Sequence, residues 1–160
     1  MTEVNPTERL AREAVHDGIE KFVSGAVVHS KGRVLLVRRS ADDDYLPGRE
    51  ELPSGGVDDG ESIDEGRTRE LREEIGLGEH RVDDGFVGLF DYPDGRGRST
   101  RQFTFSIPWS DGEPRLSPEH SSYRWVDQAQ FDEADVTSET RAVLVQWWNW
   151  HLGNMRSASA

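Results

Sequence analysis

The segment "SIDEGRTRELREEIG", residues 62 to 76, constrains this chain more than any other. Ser62 with Glu65 three residues later is a capping box, and Gly76 and Gly78 are helix stops, so a helix is predicted from Ile63 to about Ile75. At about 100° per residue, Glu70, Glu73 and Glu74 share one arc of about 100°. Thr68, Leu71 and Ile75 form a stripe on the adjoining side. Such a helix can dock on a sheet by one edge while displaying its carboxylates along the other.

Carboxylates about 6 Å apart repel by about 0.7 kcal/mol in water, but by nearer 3 kcal/mol at an effective dielectric of about 20. On a fully solvated face the cluster is therefore cheap, and pairs such as Arg69 with Glu73 contribute a few tenths of a kcal/mol each. The preceding loop, "LPSGGVDDGE", favours another use. Its glycines at 55, 56 and 60 let the backbone bend tightly and approach a ligand, and it delivers the chain to a helix N-terminus. Oxygen ligands beside such a loop suit Mg²⁺. Gly66, on the carboxylate arc one turn earlier, costs about 1 kcal/mol relative to Ala, and is expected to leave room there.

The remaining chain frames this helix. Residues 7–16 read as a short helix stopped by Gly18. "FVSGAVVH" and "RVLLVRR" read as a hairpin joined through "SKG". Residues 40–60, dense in Asp, Gly and Pro, read as loop with a brief extended piece at Glu51 and Leu52. "RVDDGFVGLFDY" and "RQFTFSIPW" are expected strands around an exposed, mobile "PDGRGRST" turn, and "YRWV" is a further strand. A helix from Ser138 to about Leu152 precedes a frayed tail. The order predicts an α/β sandwich with a mixed sheet. The expected division is an N-terminal helical extension at 1–20, one domain at 21–153 and a flexible tail at 154–160.

Composition narrows the function. With 19 basic and 31 acidic residues the formal charge is −12, which repels nucleic-acid backbones and anionic lipids. Phosphate chemistry is compatible with this field only through a divalent cation or a local Arg cluster. There is no cysteine, which excludes disulfides, thiolate metal sites and Cys nucleophiles. No apolar run approaches the ~18 residues of a membrane span, so a cytoplasmic protein is expected by default.

From Gly55 to Leu77, "GGVDDGESIDEGRTRELREEIGL" resembles the signature of the Nudix hydrolases without a gap. The matched positions are Gly55, Glu61, Arg69, Glu70, Leu71, Glu73, Glu74, Gly76 and Leu77; a chance match in a chain this long is on the order of 10⁻⁷. Weaker resemblance runs from about Phe22 to Trp148. It implies a Nudix-type α/β/α sandwich around a mixed β-sheet. It also implies hydrolysis of a nucleoside diphosphate linked to another group X, with Mg²⁺ or Mn²⁺ held by glutamates. Carried over by position, Glu70, Glu73 and Glu74 are the principal metal ligands, Glu61 lies in or just outside that shell, and Ser54 offers a carbonyl. Arg69 orients carboxylates, and Gly55 and Gly76 shape the motif. Glu50 stands where many relatives have Trp, which removes a Trp-lined wall.

The implied reaction is metal-assisted attack of water on one phosphorus of a pyrophosphate, with Glu74 or Glu119 as the base and Glu73 in the catalytic set. Arg38, Arg39 and Arg101, with Arg96 and Arg98, are candidates to grip phosphates, against the alternative that each is a solvated partner for an acidic protein. Tyr45, Phe90, Tyr92 and Trp109 are candidates to stack on a base, though such aromatics are more often core. No histidine shows a metal-ligand spacing such as HExxH, and none is assigned a catalytic role. The expected partner is a small nucleotide, with no bulk nucleic acid and no membrane; a homodimer is left open. A catalytically silent Nudix-fold binding module is the competing reading, although such a module is expected to lose acidic positions that are all present here. Isopentenyl diphosphate isomerase needs a Cys that this chain lacks.

Overall fold

In the computed structural model, which describes residues 5–44, 46–110 and 112–159, side chains being described through Met155, the expected hairpin is β1 (Lys21–Ser30) and β2 (Arg33–Arg39). Lys31 and Gly32 between them both have positive φ, 53° and 78°. That is the mirror-image two-residue turn whose twist matches antiparallel strands, and it sets Ser30 opposite Arg33.

The remaining strands are β3 (Glu50–Glu51), β4 (Ser54–Gly56), β5 (Val87–Pro93), β6 (Ser99–Pro108) and β7 (His120–Val126). All seven form one sheet with a central order β3-β2-β1-β6-β5, β4 pairing with β1 and β7 with β2. The β1–β6 pair is parallel and the others are antiparallel, so the sheet is mixed as expected. The helices are α1 (Pro6–His16), α2 (Ile63–Ile75), α3 (Gln128–Phe131) and α4 (Ser138–Ser159).

Burial explains the layers. On one face Leu71 and Ile75 of α2 pack on Ala26, Val28, Leu35 and Val37. Ala14 of α1 joins Ile63, Phe103 and Phe105 beside them. On the other face Val143, Leu144, Trp147 and Trp148 of α4 cover Val27, Val34 and Leu36. A fully buried side chain of this kind contributes about 1.5–3 kcal/mol, so both helix layers are held by several such residues. Trp147 and Trp148 diverge: Trp147 donates to Ser106 Oγ at 2.9 Å, and Trp148 meets the Phe131 ring.

Five expectations differ from what the structure shows. The 40–60 loop also contains β4, because Ser54 to Gly56 pair with Gly25 to Val23; Gly25 permits this, since a Cβ there would lie 2.4 Å from that of Ser54. The strand expected from residue 81 begins at Val87. Helix α4 continues past Leu152 to Ser159. The "PDGRGRST" turn is tied rather than loose, as Asp94 accepts from the backbone N–H groups of Arg96 and Arg98 and from the Arg98 guanidinium. Helix α1, expected as an appendage, shares the α2 core and bonds to it through Thr7 Oγ1 and Asp64 at 2.7 Å. No helix among the described residues is long and apolar enough to cross a membrane.

Candidate active site

Helix α2 carries the capping box expected from Ser62 and Glu65, with both reciprocal bonds at 3.0 Å. It ends at Gly76 with φ 72°, where Leu77 N–H bonds back to Leu71 O at 3.2 Å, a Schellman-type stop. These ends place the carboxylates against β4. Gly55 is so close to Glu70 that a Cβ there would fall on the Glu70 carboxyl group. Gly66, expected to leave room beside the carboxylates, has that room filled by Val57 of the incoming loop, whose Cγ2 lies 2.9 Å from where a Cβ would sit. It is a packing glycine.

Arg69 gathers the acidic groups. Its guanidinium donates to Glu61 at 2.8 and 2.9 Å, to Glu70 at 2.9 Å, to Glu73 at 3.4 Å and to Gly56 O at 2.9 Å. The Arg69 bonds, followed by the Asp58 N–H, hold the Glu61 carboxyl down to about 2. Glu70 and Glu74 behave oppositely. Burial raises Glu70, with Arg69 pulling it back and Glu73 and Glu119 pushing it further. Glu74 is raised chiefly by burial and also by the adjoining Glu119 carboxyl, against the pull of His120.

Glu119 thus reaches the helix from a separate loop. That loop is docked on the C-terminal end of α2 through Arg115 N–H to Ile75 O at 2.9 Å and Ser117 N–H to Glu74 O at 3.2 Å. The next residue, His120, is the one the sequence reading passed over. Its Nε2 lies 2.8 Å from Glu51, and its Nδ1 lies 2.7 Å from Glu74 Oε2, at an angle outside hydrogen-bond geometry. Burial opposes its charge, but the two carboxylates outweigh that and raise it. No ligand-spacing motif marks it; the signal available was only its place beside Glu119.

Among the described residues no three acidic or histidine side chains are already closed around one metal position, since Arg69 draws Glu61, Glu70 and Glu73 to itself. The donors are nonetheless hard oxygens suited to Mg²⁺ or Mn²⁺. Glu74 Oε2 is buried without a hydrogen-bond partner, and burial raises the pKa of both Glu70 and Glu74. The residues fit a divalent cation.

Beside Ser54 and Gly55 opens a cleft of about 810 Å³. Of the expected phosphate contacts, Arg39 lines it while bound to Glu51 and Asp43; Arg96 and Arg98 line it from the β5–β6 turn. Arg38 and Arg101 do not. Arg38 donates to Gly48 O at 2.7 Å, and Arg101 is held by Asp91 and Asp17. Lys21, absent from the sequence-based candidates, also lines the cleft, and its Nζ lies 3.4 Å from where a Cβ on Gly56 would be. Phe90 and Tyr92 line one wall, their rings 5.6 Å apart. Trp109 packs instead near Trp125, and Tyr45 lies outside the described residues.

Glu50 is 4% exposed and receives both arms of the Arg124 fork at 2.8 Å, with Arg38 at 3.6 Å. The Arg124 bonds, acting against burial, lower its pKa below the ordinary 4.5. The pair therefore contributes stability that is present above that value and is lost as pH falls through the lowered one. Arg124→Met is expected to cost about 1–3 kcal/mol at neutral pH, discounted for solvent reaching Arg124. Urea melts at pH 7 and pH 3 check this: the deficit should shrink in acid.

The chain is thus a mixed α/β/α sandwich with acidic groups on one helix edge and, beside them, a cleft lined by both basic and acidic side chains. The NUDIX domain family model matches residues 21–148, and the chain belongs to the Nudix family as a Nudix hydrolase. It is 32% identical over 130 residues to a nucleoside triphosphatase NudI of Klebsiella pneumoniae, covering 74% of this chain and 89% of that protein. An RNA pyrophosphohydrolase of Novosphingobium aromaticivorans is 30% identical over 133 residues, covering 72% and 81%. The crystal structure of a MutT protein from Methanosarcina mazei superposes with a TM-score of 0.71 at 25% identity, covering 82% of this chain and 94% of that one. A C. elegans Ap4A hydrolase shares the fold at TM-score 0.72 and 19% identity, covering 84% and 99%.

Proposed function

We propose that this Nudix hydrolase uses Mg²⁺, or Mn²⁺ in its place, to cleave a diphosphate bond in a nucleoside diphosphate linked to X, with nucleoside triphosphates as the preferred class. The observation that carries the reading is that the loop residue Glu119 acts on both Glu70 and Glu74 of α2, while Glu70 lies against Gly55, a residue that lines a cleft shared with Lys21, Arg39, Arg96 and Arg98. The nucleoside triphosphatase and RNA pyrophosphohydrolase relatives support a nucleotide phosphoanhydride. The cleft volume lies within the range of about 300–1,000 Å³ usual for small ligands, and the charge of −12 disfavours long polyanions.

Glu70, Glu73 and Glu74 would hold the cation, with Ser54 and Glu61 at its edge; when bound it supplies charge neutralisation at the leaving oxygen and an acidified water. Glu119 is exposed and adjoins Glu74 from the solvent side, which suits it to accept the proton of the attacking water, while Glu74 is held from beneath by His120. Lys21 and Arg96 make no ion pair among the described residues, so each has its charge available for a phosphate. Phe90 and Tyr92 offer faces to a base.

Lys21→Met should raise KM for a nucleoside triphosphate about tenfold, the scale of one charge-assisted contact, with kcat changed far less. Steady-state kinetics check it, and an unchanged KM removes Lys21 from the substrate contacts. The reading as a whole is tested by screening nucleoside triphosphates, dinucleoside polyphosphates, nucleotide sugars and triphosphorylated RNA by phosphorus NMR; turnover of none of them with Mg²⁺ present would refute it.

A further inference from the structure

We propose that His120 is a positioning residue for the acidic helix: through its Nδ1 it fixes the Glu74 carboxylate at the angle from which that group meets the cation, a role that rests on the metal-site reading above. The geometry is specific. His120 is 3% exposed and sits at the first position of β7, wedged between β3 and α2. Its Nε2 is 2.8 Å from Glu51 Oε1, and Glu51 is itself fixed by Arg39 at 3.0 and 3.1 Å, with Arg39 held in turn by Asp43 at 2.7 Å. The imidazole is therefore braced on one side by a line of hydrogen bonds. On the other side its Nδ1 meets Glu74 Oε2 at 2.7 Å, and no hydrogen-bond partner completes either atom.

A buried ion pair whose facing atoms complete no hydrogen bond is an arrangement that native structures seldom carry without a reason. The pair holds Oε2 inward, which leaves the second carboxylate oxygen of Glu74 for the cation. A brace behind a ligand is the usual way in which a site keeps a ligating group from swinging when its ion leaves. The same line of bonds begins in the segment after β2, whose Ser40 N–H bonds to Glu119 O at 3.0 Å. The cleft wall at Arg39 and the helix carboxylate at Glu74 are thereby built as one unit.

The two nitrogens can be tested separately, because an Asn amide nitrogen overlays Nδ1 of His and a Gln amide nitrogen overlays Nε2. In the full chain without substrate, Mn²⁺ binding is followed by the EPR signal of free Mn²⁺. His120→Asn should keep close to wild-type affinity, whereas His120→Gln should weaken it about tenfold or more and lower kcat with little change in KM. Equal affinity in both variants, whether retained or lost, overturns the proposal. If wild type shows no saturable Mn²⁺ binding, the metal-site reading and this one fall together; if wild type binds and the two variants match, this one alone falls. A measurement independent of the folding of His120→Gln uses ¹⁵N-histidine wild type, with the His120 signal assigned from His120→Asn. Mg²⁺ should shift the Nδ1 resonance of His120 and leave the other histidines in place, and an unmoved resonance overturns the proposal.

Discussion

Glu74→Gln and Glu73→Gln should each fold normally and lose about 10² or more in kcat, because under the proposed metal site each removes a ligand and leaves charge on the leaving oxygen uncompensated. The two differ in surroundings. Glu73 is 58% exposed, so its neutral variant has little to disturb. Glu74 is buried with a raised pKa, chiefly from that burial, and faces both His120 and Glu119, so losing its charge removes one attraction and one repulsion and should leave the melting temperature close to that of wild type. A fall in turnover without a fall in stability separates chemistry from folding. Wild-type turnover in both variants would remove the carboxylates from the reaction.

The second large effect is expected at Gly55. A Cβ there would fall on the Glu70 carboxyl group, so Gly55→Ala must push either β4 or Glu70 aside. Its backbone is not in the left-handed region, and the penalty is therefore one of space alone, about 1–3 kcal/mol for overpacking. A ligand displaced by about an ångström can cost about 10² in rate. Thermal melts and kcat report both effects, and Gly78→Ala serves as control because a Cβ there meets nothing within 4 Å. Wild-type kcat in Gly55→Ala would show that the close approach of β4 to Glu70 is not needed.

These two sites show what was legible in the sequence. The α2 helix, its cap and its stop follow from local rules of spacing and the structure reproduces them, but Glu74, expected on the displayed edge with Glu70 and Glu73, is buried against His120. The mixed sheet was likewise readable from alternating apolar runs. Strand β4 was not, because its pairing depends on Gly25, nearly thirty residues away, offering a surface without a side chain. Gly66 was noticed for a sound reason, its small size, but only tertiary packing could show that Val57 occupies the space. His120 escaped because its role is defined by Glu51 and Glu74, which approach it from two other elements; no spacing along the chain encodes that meeting. Lys21 and Arg101 differ in the same way. Both are cations near strand ends, yet one lines the cleft and the other is taken up by Asp91 and Asp17.

The most direct test of the central claim is hydrolysis of a nucleoside triphosphate by the full chain in ¹⁸O water, followed by phosphorus NMR while Mg²⁺ is titrated in and then removed with EDTA. The account predicts turnover that rises saturably with Mg²⁺, stops on chelation, and places one ¹⁸O on the phosphorus that water attacks. Turnover that persists at full rate after every divalent ion is removed would contradict it.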